Sequence, residues 1–373
     1  MKKYDIAIIG AGCSGLSLAY RLSNTNLNIC ILESGNLHNR IRKTWSYWDV
    51  YDHPFKKLEN NSLNNINCIS EGESTNLNCE RFNYKSIDSK SFDKHIFDTI
   101  ESCNNIDIFF DTNINSTKPI DKFIEINSDN EVYNVSEVYD SRPDRMNASM
   151  YQVFLGYYIS TQGSNNTISP KLMDFTDDDD FSFYYVLPFN DNVILVEYTF
   201  FTPTIHKADA LKDKLEAYIH NRVASKYNLI RSEYGVIPMT SIMPKIDPIK
   251  NIYKIGIRSG ATRASTGYTF LNIQKQSDYY ADKIKGLKAS NALLSIKSRL
   301  LRKMDNVLLK IIMDQPKTAK RIIFRMFALN NDKTIIKFLS DIPSLFDILR
   351  IVANMPKLIF IKYAIKSFIS KKI

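Results

Sequence analysis

The sequence predicts an α/β protein with a Rossmann-type nucleotide-binding unit, a mixed β-sheet region inserted in it, and a helical C-terminal region. Three observations lead to this prediction. A strand–turn–helix–strand pattern occupies the first 33 residues, and segments rich in aromatic and β-branched residues follow in the middle of the chain. From about residue 285 onward, Leu, Ile and Phe recur at helical spacing among Lys and Arg.

The composition is that of a folded protein of two domains or one large composite domain. The 373 residues are 44% hydrophobic and 12% aromatic, which supplies a sizeable core and excludes a disordered or collagen-like chain. The five cysteines form no C-x-x-C pair and no Cys/His cluster, so the sequence predicts neither a metal site nor a disulfide framework. This cysteine usage is typical of a reducing compartment, and we expect a cytoplasmic protein.

Charge is distributed unevenly along the chain. Residues 281–373 hold 20 basic and 6 acidic residues, whereas residues 1–280 hold 29 basic and 34 acidic ones. A basic segment of this kind predicts an anionic partner surface. Aliphatic residues interleave the bases and no nucleic-acid motif is present, so we expect a membrane surface rather than nucleic acid. A helical packing subdomain with a solvated basic face is the alternative.

The C-terminal segment 342–369 is apolar but is interrupted by Asp347, Arg350, Lys357 and Lys362. These charges argue against a membrane-spanning helix, which needs about 20 apolar residues. An amphipathic helix lying in the interface fits the pattern better, so we expect peripheral association with the membrane.

The first element is a short buried strand over residues 4–9, which leads directly into a glycine-rich turn. Gly10, Gly12 and Gly15 match the G-x-G-x-x-G fingerprint, and the helix that follows carries apolar residues at helical spacing. Gly10 allows the tight turn, Gly12 lets the backbone approach a pyrophosphate, and Gly15 lets helix and strand pack closely. The turn therefore predicts a bound dinucleotide at the helix N-terminus.

The second strand, over residues 27–32, ends at Glu33. A carboxylate at this position accepts hydrogen bonds from ribose hydroxyls and repels a 2′-phosphate. FAD and NAD both fit these residues.

The middle of the chain places other polar residues beside the predicted nucleotide unit. A strand ends at Asp140, which we expect to pass close to the cofactor, although a simple turn aspartate explains it equally well. Another strand, over residues 252–257, leads into a turn containing Gly260, Thr266 and Gly267, which we expect to approach the cofactor as well.

A set of segments, taken in order, carries a family resemblance. They are Lys43-Thr44-Trp45-Ser46-Tyr47, Tyr139-Asp140-Ser141-Arg142-Pro143, Tyr151-Gln152-Val153-Phe154-Leu155-Gly156, Leu172-Met173-Asp174-Phe175, Tyr185-Val186-Leu187-Pro188-Phe189, Leu195-Val196-Glu197-Tyr198-Thr199, Gly235-Val236-Ile237-Pro238-Met239 and Ser265-Thr266-Gly267-Tyr268-Thr269-Phe270. From about residue 4 to about residue 280, the chain resembles the lycopene cyclases, FAD-dependent carotenoid cyclases of bacteria and plants.

The resemblance implies the flavoprotein fold of aromatic hydroxylases and geranylgeranyl reductases. It divides the chain into a discontinuous FAD-binding domain (1–80, 135–150 and 250–285), substrate-binding and connecting segments (81–134 and 151–249), and the basic helical region 286–373. The activity implied is cyclisation of the ends of lycopene, or a related acyclic carotenoid, to β-rings in carotenoid biosynthesis. That reaction involves no net redox change, yet it requires reduced FAD with NAD(P)H as electron donor.

The chemistry of such a cyclisation requires an acid that protonates a terminal double bond, and a dry pocket that protects the resulting cation. Glu197 is an isolated carboxylate in the aromatic stretch 181–201, and it lies where the resembling family carries its essential glutamate. Burial would raise its pKa and make it a proton donor. Tyr185, Tyr198 and Phe200 are the expected substrate-binding residues, because aromatic faces stabilise cations. Relatives often carry a second acidic residue at the position of Tyr198.

Two other interpretations remain open at this stage. One is a FAD-dependent monooxygenase or isoprenoid reductase of the same fold, and the other is a non-catalytic lipid- or carotenoid-binding flavoprotein. The residues leave open the choice between β- and ε-rings, between one and two cyclised ends, and between NADH and NADPH. They leave the oligomeric state open too.

Overall fold

The computed structural model describes residues 2–142, 148–161, 168–189, 192–241, 250–289 and 296–369. Parts of the predicted basic region, residues 290–295 and 370–373, lie outside that description. The strands are β1 (Lys2–Ile9), β2 (Ile29–Leu32), β3 (Thr44–Trp48), β4 (Glu59–Leu63), β5 (Asn65–Ser70), β6 (Glu73–Asn78), β7 (Tyr84–Asp88), β8 (Ile106–Phe109), β9 (Ile114–Ile120), β10 (Phe123–Ser128), β11 (Val132–Asp140), β12 (Met150–Thr161), β13 (Lys171–Phe175), β14 (Ser182–Pro188), β15 (Val193–Thr202), β16 (Tyr227–Met239) and β17 (Ile252–Lys254).

The helices include a short π-helical turn over Ile219–Val223 and a 3₁₀ turn over Gly256–Ser259. The α-helices are α1 (Cys13–Leu22), α2 (Ser89–Glu101), α3 (Asp209–Tyr218), α4 (Phe270–Ile284), α5 (Ile296–Asp314), α6 (Pro316–Leu329), α7 (Asp332–Leu339), α8 (Leu345–Asn354) and α9 (Lys357–Ile369).

The N-terminal sheet has the strand order β8-β2-β1-β11-β10-β9, with β17 paired to β11. Strands β8, β2, β1, β11 and β17 run parallel to their neighbours, while β9 and β10 form an antiparallel extension. The four residues of β2 are all buried, as expected for a strand covered on both faces. Helix α1 packs on this sheet and against α4, so the predicted Rossmann-type unit is confirmed.

The central sheet has the order β16-β12-β15-β14-β13-β5-β6 and is mostly antiparallel. Its two faces are covered differently. Helix α3 packs on one face through residues such as Leu211 and Leu215. The other face meets the small antiparallel sheet β3-β7-β4, the 264–268 turn and the C-terminal helices in one continuous core.

The sheets divide the chain differently from the division implied by the resemblance. Residues 65–78 form β5 and β6 of the central sheet, instead of belonging to the nucleotide-binding part. Residues 89–128 supply α2, β8, β9 and β10, of which the three strands join the N-terminal sheet. The chain therefore crosses between the N-terminal and central sheets several times.

The C-terminal region is helical, as predicted. Helix α8 begins with a capping box in which Ser344 Oγ accepts from the Asp347 N–H and the Asp347 carboxylate accepts from the Ser344 N–H. Apolar side chains on the outer faces of α8 and α9 remain exposed: Leu345, Phe346, Leu349 and Val352, and Leu358, Ile361 and Ile365. Within the described ranges, we find no helix with the length and hydropathy needed to cross a bilayer.

Candidate active site

The glycine-rich turn between β1 and α1 uses its three glycines for different purposes. Gly10 has a φ of +95°, and a Cβ there would collide with Ser141 Oγ. A Cβ on Gly15 would collide with the carbonyl oxygen of Gly10. A Cβ on Gly12, by contrast, would point into open space. Gly10 and Gly15 therefore serve the packing of the turn, whereas Gly12 keeps the space before the helix free.

Glu33, which follows the end of β2, stabilises this turn through its carboxylate. Its Oε2 accepts a hydrogen bond of 2.6 Å from the Ala11 N–H, and its Oε1 accepts one of 2.7 Å from the Gly35 N–H. The first N–H groups of α1 have no partner within the helix and lie at its positive end. Together, the open side of Gly12, the helix N-terminus and the Glu33 carboxylate fit the diphosphate and ribose of a dinucleotide.

A second glycine turn closes against the first. Gly256 has a φ of +69°, and a Cβ there would lie 3.0 Å from Ser14 Cβ. The Gly256 N–H donates to Gln276 Oε1 over 2.7 Å. Gly260 instead ends the 3₁₀ turn with a φ of +78° and accepts a hydrogen bond from Arg302 on α5. Gly256 therefore lies against the nucleotide turn, whereas the predicted Gly260 contacts α5.

Thr266 and Gly267 bring the later part of this turn against the central sheet. The Tyr268 N–H donates to Thr266 Oγ1 over 3.3 Å, and Gly267 has a φ of +72°. A Cβ on Gly267 would lie 2.6 Å from Oε1 of Gln152 on β12. Among the described residues, this buried oxygen has no hydrogen-bond partner. An N–H of a bound cofactor would satisfy it.

Asp140 lies buried at the end of β11 and ties that strand to the second turn. Its carboxylate accepts from Arg258 Nη1 over 2.6 Å and from Arg142 Nη2 over 2.8 Å. Burial alone would raise the pKa of Asp140, but the hydrogen bonds and charges of Arg142 and Arg258 outweigh it and lower the pKa. The carboxylate is thus an ionised anchor within the protein, beside the predicted cofactor site.

Glu197 lies in the middle of the central-sheet face that α3 does not cover. Strand register places it beside Tyr185 on β14 and beside Gly156 on β12. On the far side of Gly156, the same row continues to Glu233 on β16. Directly paired residues of antiparallel strands point to the same face. The row therefore runs Tyr185, Glu197, Gly156 and Glu233 across four strands.

The surroundings of Glu197 form a cleft within the protein interior. Glu197, Tyr185, Phe154 and Gln152 all keep partial accessibility on a face where their neighbours are buried. Burial of the carboxyl group nevertheless raises the pKa of Glu197 to about 8. The hydrogen bond from Thr199 acts in the opposite direction, and the negative charge of Glu233 adds to the rise. At neutral pH the carboxyl group is therefore protonated and can act as an acid.

Three tyrosines line the cleft beside Glu197. Tyr185 donates to the Tyr84 hydroxyl over 2.9 Å, and the hydroxyls of Tyr84 and Tyr268 are 3.3 Å apart. The ring of Trp48 packs on Tyr84 with a centroid distance of 4.5 Å. Burial raises the pKa values of the three tyrosines well above the usual range, so they stay neutral. They give the cleft aromatic faces without adding charge.

Tyr198 and Phe200, predicted to bind substrate, lie on the opposite face. Tyr198 packs against Tyr184 and receives a hydrogen bond from Lys214 of α3. Phe200 packs against Tyr198 and His206. Successive residues of a strand point to opposite faces, and the cleft face is that of Glu197. Of the three predicted substrate-binding residues, the structure brings only Tyr185 together with Glu197.

The sequence interpretation missed Glu233 and Gly156 as parts of the site. Both belong to or adjoin segments that carry the family resemblance, but nothing local marks them as neighbours of Glu197. Their relationship depends on the pairing of β12 with both β15 and β16. The signal would have been that Gly156, Glu197 and Glu233 share one face of the sheet. Recognising this requires the pairing register of their three strands.

One family model matches most of the chain. Residues 5–364 match a family model described as lycopene cyclase protein. The match spans nearly all of the chain and includes the glycine-rich turn, Glu197 and Glu233. No curated protein matches the chain.

The fold is shared with solved flavoproteins of low sequence identity. A geranylgeranyl bacteriochlorophyll reductase-like protein from Thermoplasma acidophilum is 14% identical, with 97% of this chain and 98% of that chain covered and a TM-score of 0.64. A flavoprotein/dehydrogenase from Cytophaga hutchinsonii is 12% identical, with both chains covered completely and a TM-score of 0.63. A probable FAD-dependent monooxygenase from Pseudomonas aeruginosa is 12% identical, with 85% of this chain and 99% of that chain covered and a TM-score of 0.58. The predicted flavin hydroxylase and geranylgeranyl reductase-like fold is confirmed.

Proposed function

Because the chain belongs to the lycopene cyclase family, we propose that it is a lycopene β-cyclase that converts the acyclic ends of lycopene to β-rings without net redox change. The observation that carries the proposal is the environment of Glu197. A carboxyl group with a pKa of about 8 lies in a cleft lined by tyrosines and aliphatic side chains. Such a group is suited to protonate a carbon–carbon double bond.

The cleft residues divide the work of the reaction. Glu197 gives its proton to the terminal double bond, which leaves a tertiary cation on the adjacent carbon. The faces of Tyr185, Tyr84 and Tyr268 stabilise this cation through their quadrupoles. A second double bond then closes the ring, and the Glu197 carboxylate takes back a proton from a ring carbon. The aliphatic and aromatic walls keep out water, which would otherwise trap the cation as an alcohol.

The proposed cofactor is FAD, in its reduced form, with NAD(P)H as the electron donor. The open side of Gly12, the N-terminus of α1 and the Glu33 carboxylate would hold its ADP part. The unsatisfied Oε1 of Gln152 beside Gly267 would accept from the flavin ring. Bound reduced FAD would supply an electron-rich ring system close to the developing cation.

Lycopene resides in the membrane, so we propose that the protein docks on a membrane surface through α8 and α9. Phe346 and Leu349 are 72% and 67% exposed on α8, and Leu358 is 86% exposed on α9. Arg350, Lys357, Lys362 and Lys366 are exposed on the same two helices. Apolar side chains flanked by bases suit insertion into an anionic lipid surface.

The direct test is expression in lycopene-accumulating cells, followed by pigment chromatography. The wild-type chain is expected to yield β-carotene, and the chromatogram also reports the ring type and the number of cyclised ends. Glu197→Gln should reduce product at least roughly 10²-fold, the contribution of a positioned general acid. Glu73→Gln, an exposed glutamate on β6 of the same sheet, is the matched control.

The main alternative is an oxidoreductase of the same fold, which would consume NAD(P)H in proportion to product. With purified enzyme under anaerobic reducing conditions, the cyclase should form many rings per NAD(P)H oxidised. A ratio of one, or formation of an oxygenated or hydrogenated product, would contradict the proposed function.

A further inference from the structure

Two buried carboxyl groups face each other across a strand position that has no side chain. Gly156 of β12 pairs with Glu197 on one side and with Glu233 on the other. Adjacent strands are about 4.8 Å apart, so the backbones of the two glutamates are separated by about 10 Å. The second acidic residue that relatives often carry at the position of Tyr198 would point to the sheet face opposite to that of Glu197. Here the second carboxyl group on the Glu197 face comes from another strand.

The side chains of Leu195 and Glu197 lie close to the β12 backbone because residue 156 is glycine. A Cβ at position 156 would lie 3.1 Å from Leu195 Cδ1 and 3.5 Å from Glu197 Cβ. Phe154 and Tyr158, two residues before and after Gly156, point to the same face of β12. On this face, β12 therefore presents no side chain between the two glutamates and an aromatic ring on either side of Gly156 along the strand. Aromatic rings and a nearby anion suit a hydrocarbon end group that becomes positively charged.

Glu233 is held by donors on both of its oxygens. Its Oε1 accepts from the Thr44 N–H over 2.9 Å, and its Oε2 accepts from Thr44 Oγ1 over 3.1 Å and from Arg231 Nη1 over 3.2 Å. Burial raises the pKa of Glu233, and these donors and the guanidinium charge offset only part of that rise. Glu197 has a single donor, Thr199, and no guanidinium partner in the described structure. The charged form of Glu233 is therefore stabilised by three hydrogen bonds and a guanidinium group, whereas Glu197 has little to stabilise its charged form.

The other groups facing Glu197 carry no charge. Thr199 lies on its own strand, Tyr185 on β14, and Tyr84 on β7 of the small sheet. The phenols stay neutral because burial raises the pKa values of Tyr84 and Tyr185. In the part of the chain that the structure describes, Glu233 supplies the charge that acts on Glu197.

Resting on the proposed function, we infer that Glu233 is the second carboxylate of the site: a fixed anion opposite the proton donor Glu197, which keeps that donor protonated and stabilises the cation formed beside Glu197. Glu233 neither gains nor loses a proton. The O–H bond of Glu197 breaks as a C–H bond forms at the chain end. The electron pair of a second double bond closes the ring, a ring C–H bond breaks to form the new double bond, and that proton returns to Glu197.

The charge relationship can be measured without substrate. Infrared spectra of the purified protein should contain the carbonyl band of a protonated carboxyl group that Glu197→Gln removes, and this band should be half lost near pH 8. In Glu233→Gln, the midpoint should fall by about one pH unit, as expected for a unit charge about 10 Å away at an effective dielectric constant of about 20. Glu73→Gln should leave the midpoint unchanged.

Glu233→Asp separates charge from shape, because it keeps the anion but shortens the side chain. Its midpoint should stay close to that of the wild type, whereas a packing role would make Asp at least as disruptive as Gln. The inference is overturned if Glu233→Gln keeps the wild-type midpoint, or if Asp and Gln lower it equally. If Glu233→Gln does not fold, Glu233→Asp still tests the inference. The inference requires the infrared midpoint of Glu233→Asp to match that of the wild type.

Turnover gives the second readout. Glu233→Gln should reduce cyclisation of lycopene in micelles roughly tenfold or more, and activity should be lost at lower pH than in the wild type. If the infrared midpoint moves but even the wild type forms no rings, the proposed function fails and the charge relationship stands. If the wild type cyclises lycopene and the midpoint does not move, only the role of Glu233 fails.

Discussion

The Thr199 hydroxyl donates a 2.6 Å hydrogen bond to Oε1 of Glu197, two residues away on the same face of β15. Oε1 is thereby engaged, which leaves Oε2 to carry the acidic proton toward the cleft. Thr199 is fully buried, so this orientation is fixed by the sheet itself.

Replacing Thr199 with valine, which has nearly the same shape, tests the effect of this bond on acidity. The hydrogen bond lowers the pKa of Glu197 against the larger effect of burial, so its loss should raise that pKa. Glu197 must be protonated to act as an acid, and the alkaline limb of the pH–rate profile for lycopene cyclisation should therefore move to higher pH. Thr202→Val, on the opposite face of β15, should leave the limb in place. A limb that moves to lower pH in Thr199→Val would contradict this account.

Glu197→Gln should stabilise the fold in a pH-dependent way. The unfolded carboxyl group has a pKa of 4.5 and the folded one a pKa of about 8, so between these values the folded state binds a proton that the unfolded state lacks. Wild-type stability therefore falls as pH rises through this window, by on the order of 3 kcal/mol at pH 7. Glutamine removes the effect. Urea unfolding at pH 5, 7 and 8.5 should show a gain that grows with pH, and a gain independent of pH would refute the raised pKa.

The two glycines of the nucleotide turn should respond differently to substitution. Gly12→Val should fold, because the backbone there is extended and the side chain meets open space, but the purified protein should lose its flavin absorbance. Gly15→Ala should fail to fold, because its Cβ would collide with the Gly10 carbonyl oxygen. Circular dichroism and the flavin spectrum distinguish the two results. Full flavin content in folded Gly12→Val would show that the cofactor lies elsewhere.

Tyr185 and Tyr198 provide a test of which sheet face binds the substrate. Tyr185→Phe removes the hydrogen bond to Tyr84 and should lower cyclisation several-fold, the usual range for a net loss of about 1 kcal/mol. Tyr198→Phe alters the face beneath α3 and should leave the rate within about twofold of wild type. The measurement is β-carotene formed per mole of FAD-loaded enzyme. The opposite order of effects would place the substrate under α3.

The exposed apolar residues of α8 and α9 should contribute directly to membrane binding. Replacing Phe346, Leu349 and Leu358 with serine should weaken flotation with anionic liposomes by roughly tenfold or more per residue, since burying each side chain contributes about 1.5–3 kcal/mol. Binding should also weaken with salt. Ile120→Ser with Phe123→Ser, at an exposed turn of the N-terminal sheet, is the control. If the control weakens flotation as much as the α8 and α9 variants, these helices are not the docking surface.

The sequence predicts the parts of this molecule whose signals are local. The glycine fingerprint, Glu33 and the helix between them lie within the first 33 residues, so a single pattern identifies the unit. Glu197 stands out because it is an isolated carboxylate among aromatic residues. Residues 65–78, by contrast, are rich in Asn and Ser and resemble loops. They form strands because β5 pairs with β13 and because β5 and β6 pack against α6, and neither contact is visible in the local sequence.

The prediction of which residues surround Glu197 is limited in the same way by contacts that the local sequence does not reveal. Strand alternation already separates Glu197 from Tyr198, but it does not tell which face opens into a cleft. That depends on α3 covering one side and on Trp48, Tyr84 and Tyr268 reaching the other from distant parts of the chain. Aromatic content alone therefore predicts the strand correctly. It predicts only some of the residues that share the face of Glu197.

The nucleotide site begins with the first strand of the chain but is completed late in the chain. The turn at Gly12 is made within the first 33 residues, whereas Gly256 and Gly267, which close the site, follow β17. A nascent chain must therefore hold an unfinished pocket, in which β17 has not yet paired with β11, until most of the protein has been synthesised. Non-local pairing of this kind slows folding and exposes sheet edges meanwhile. Cofactor supply should consequently affect the yield of protein as well as its activity, because capture of the flavin can only follow the last of these turns.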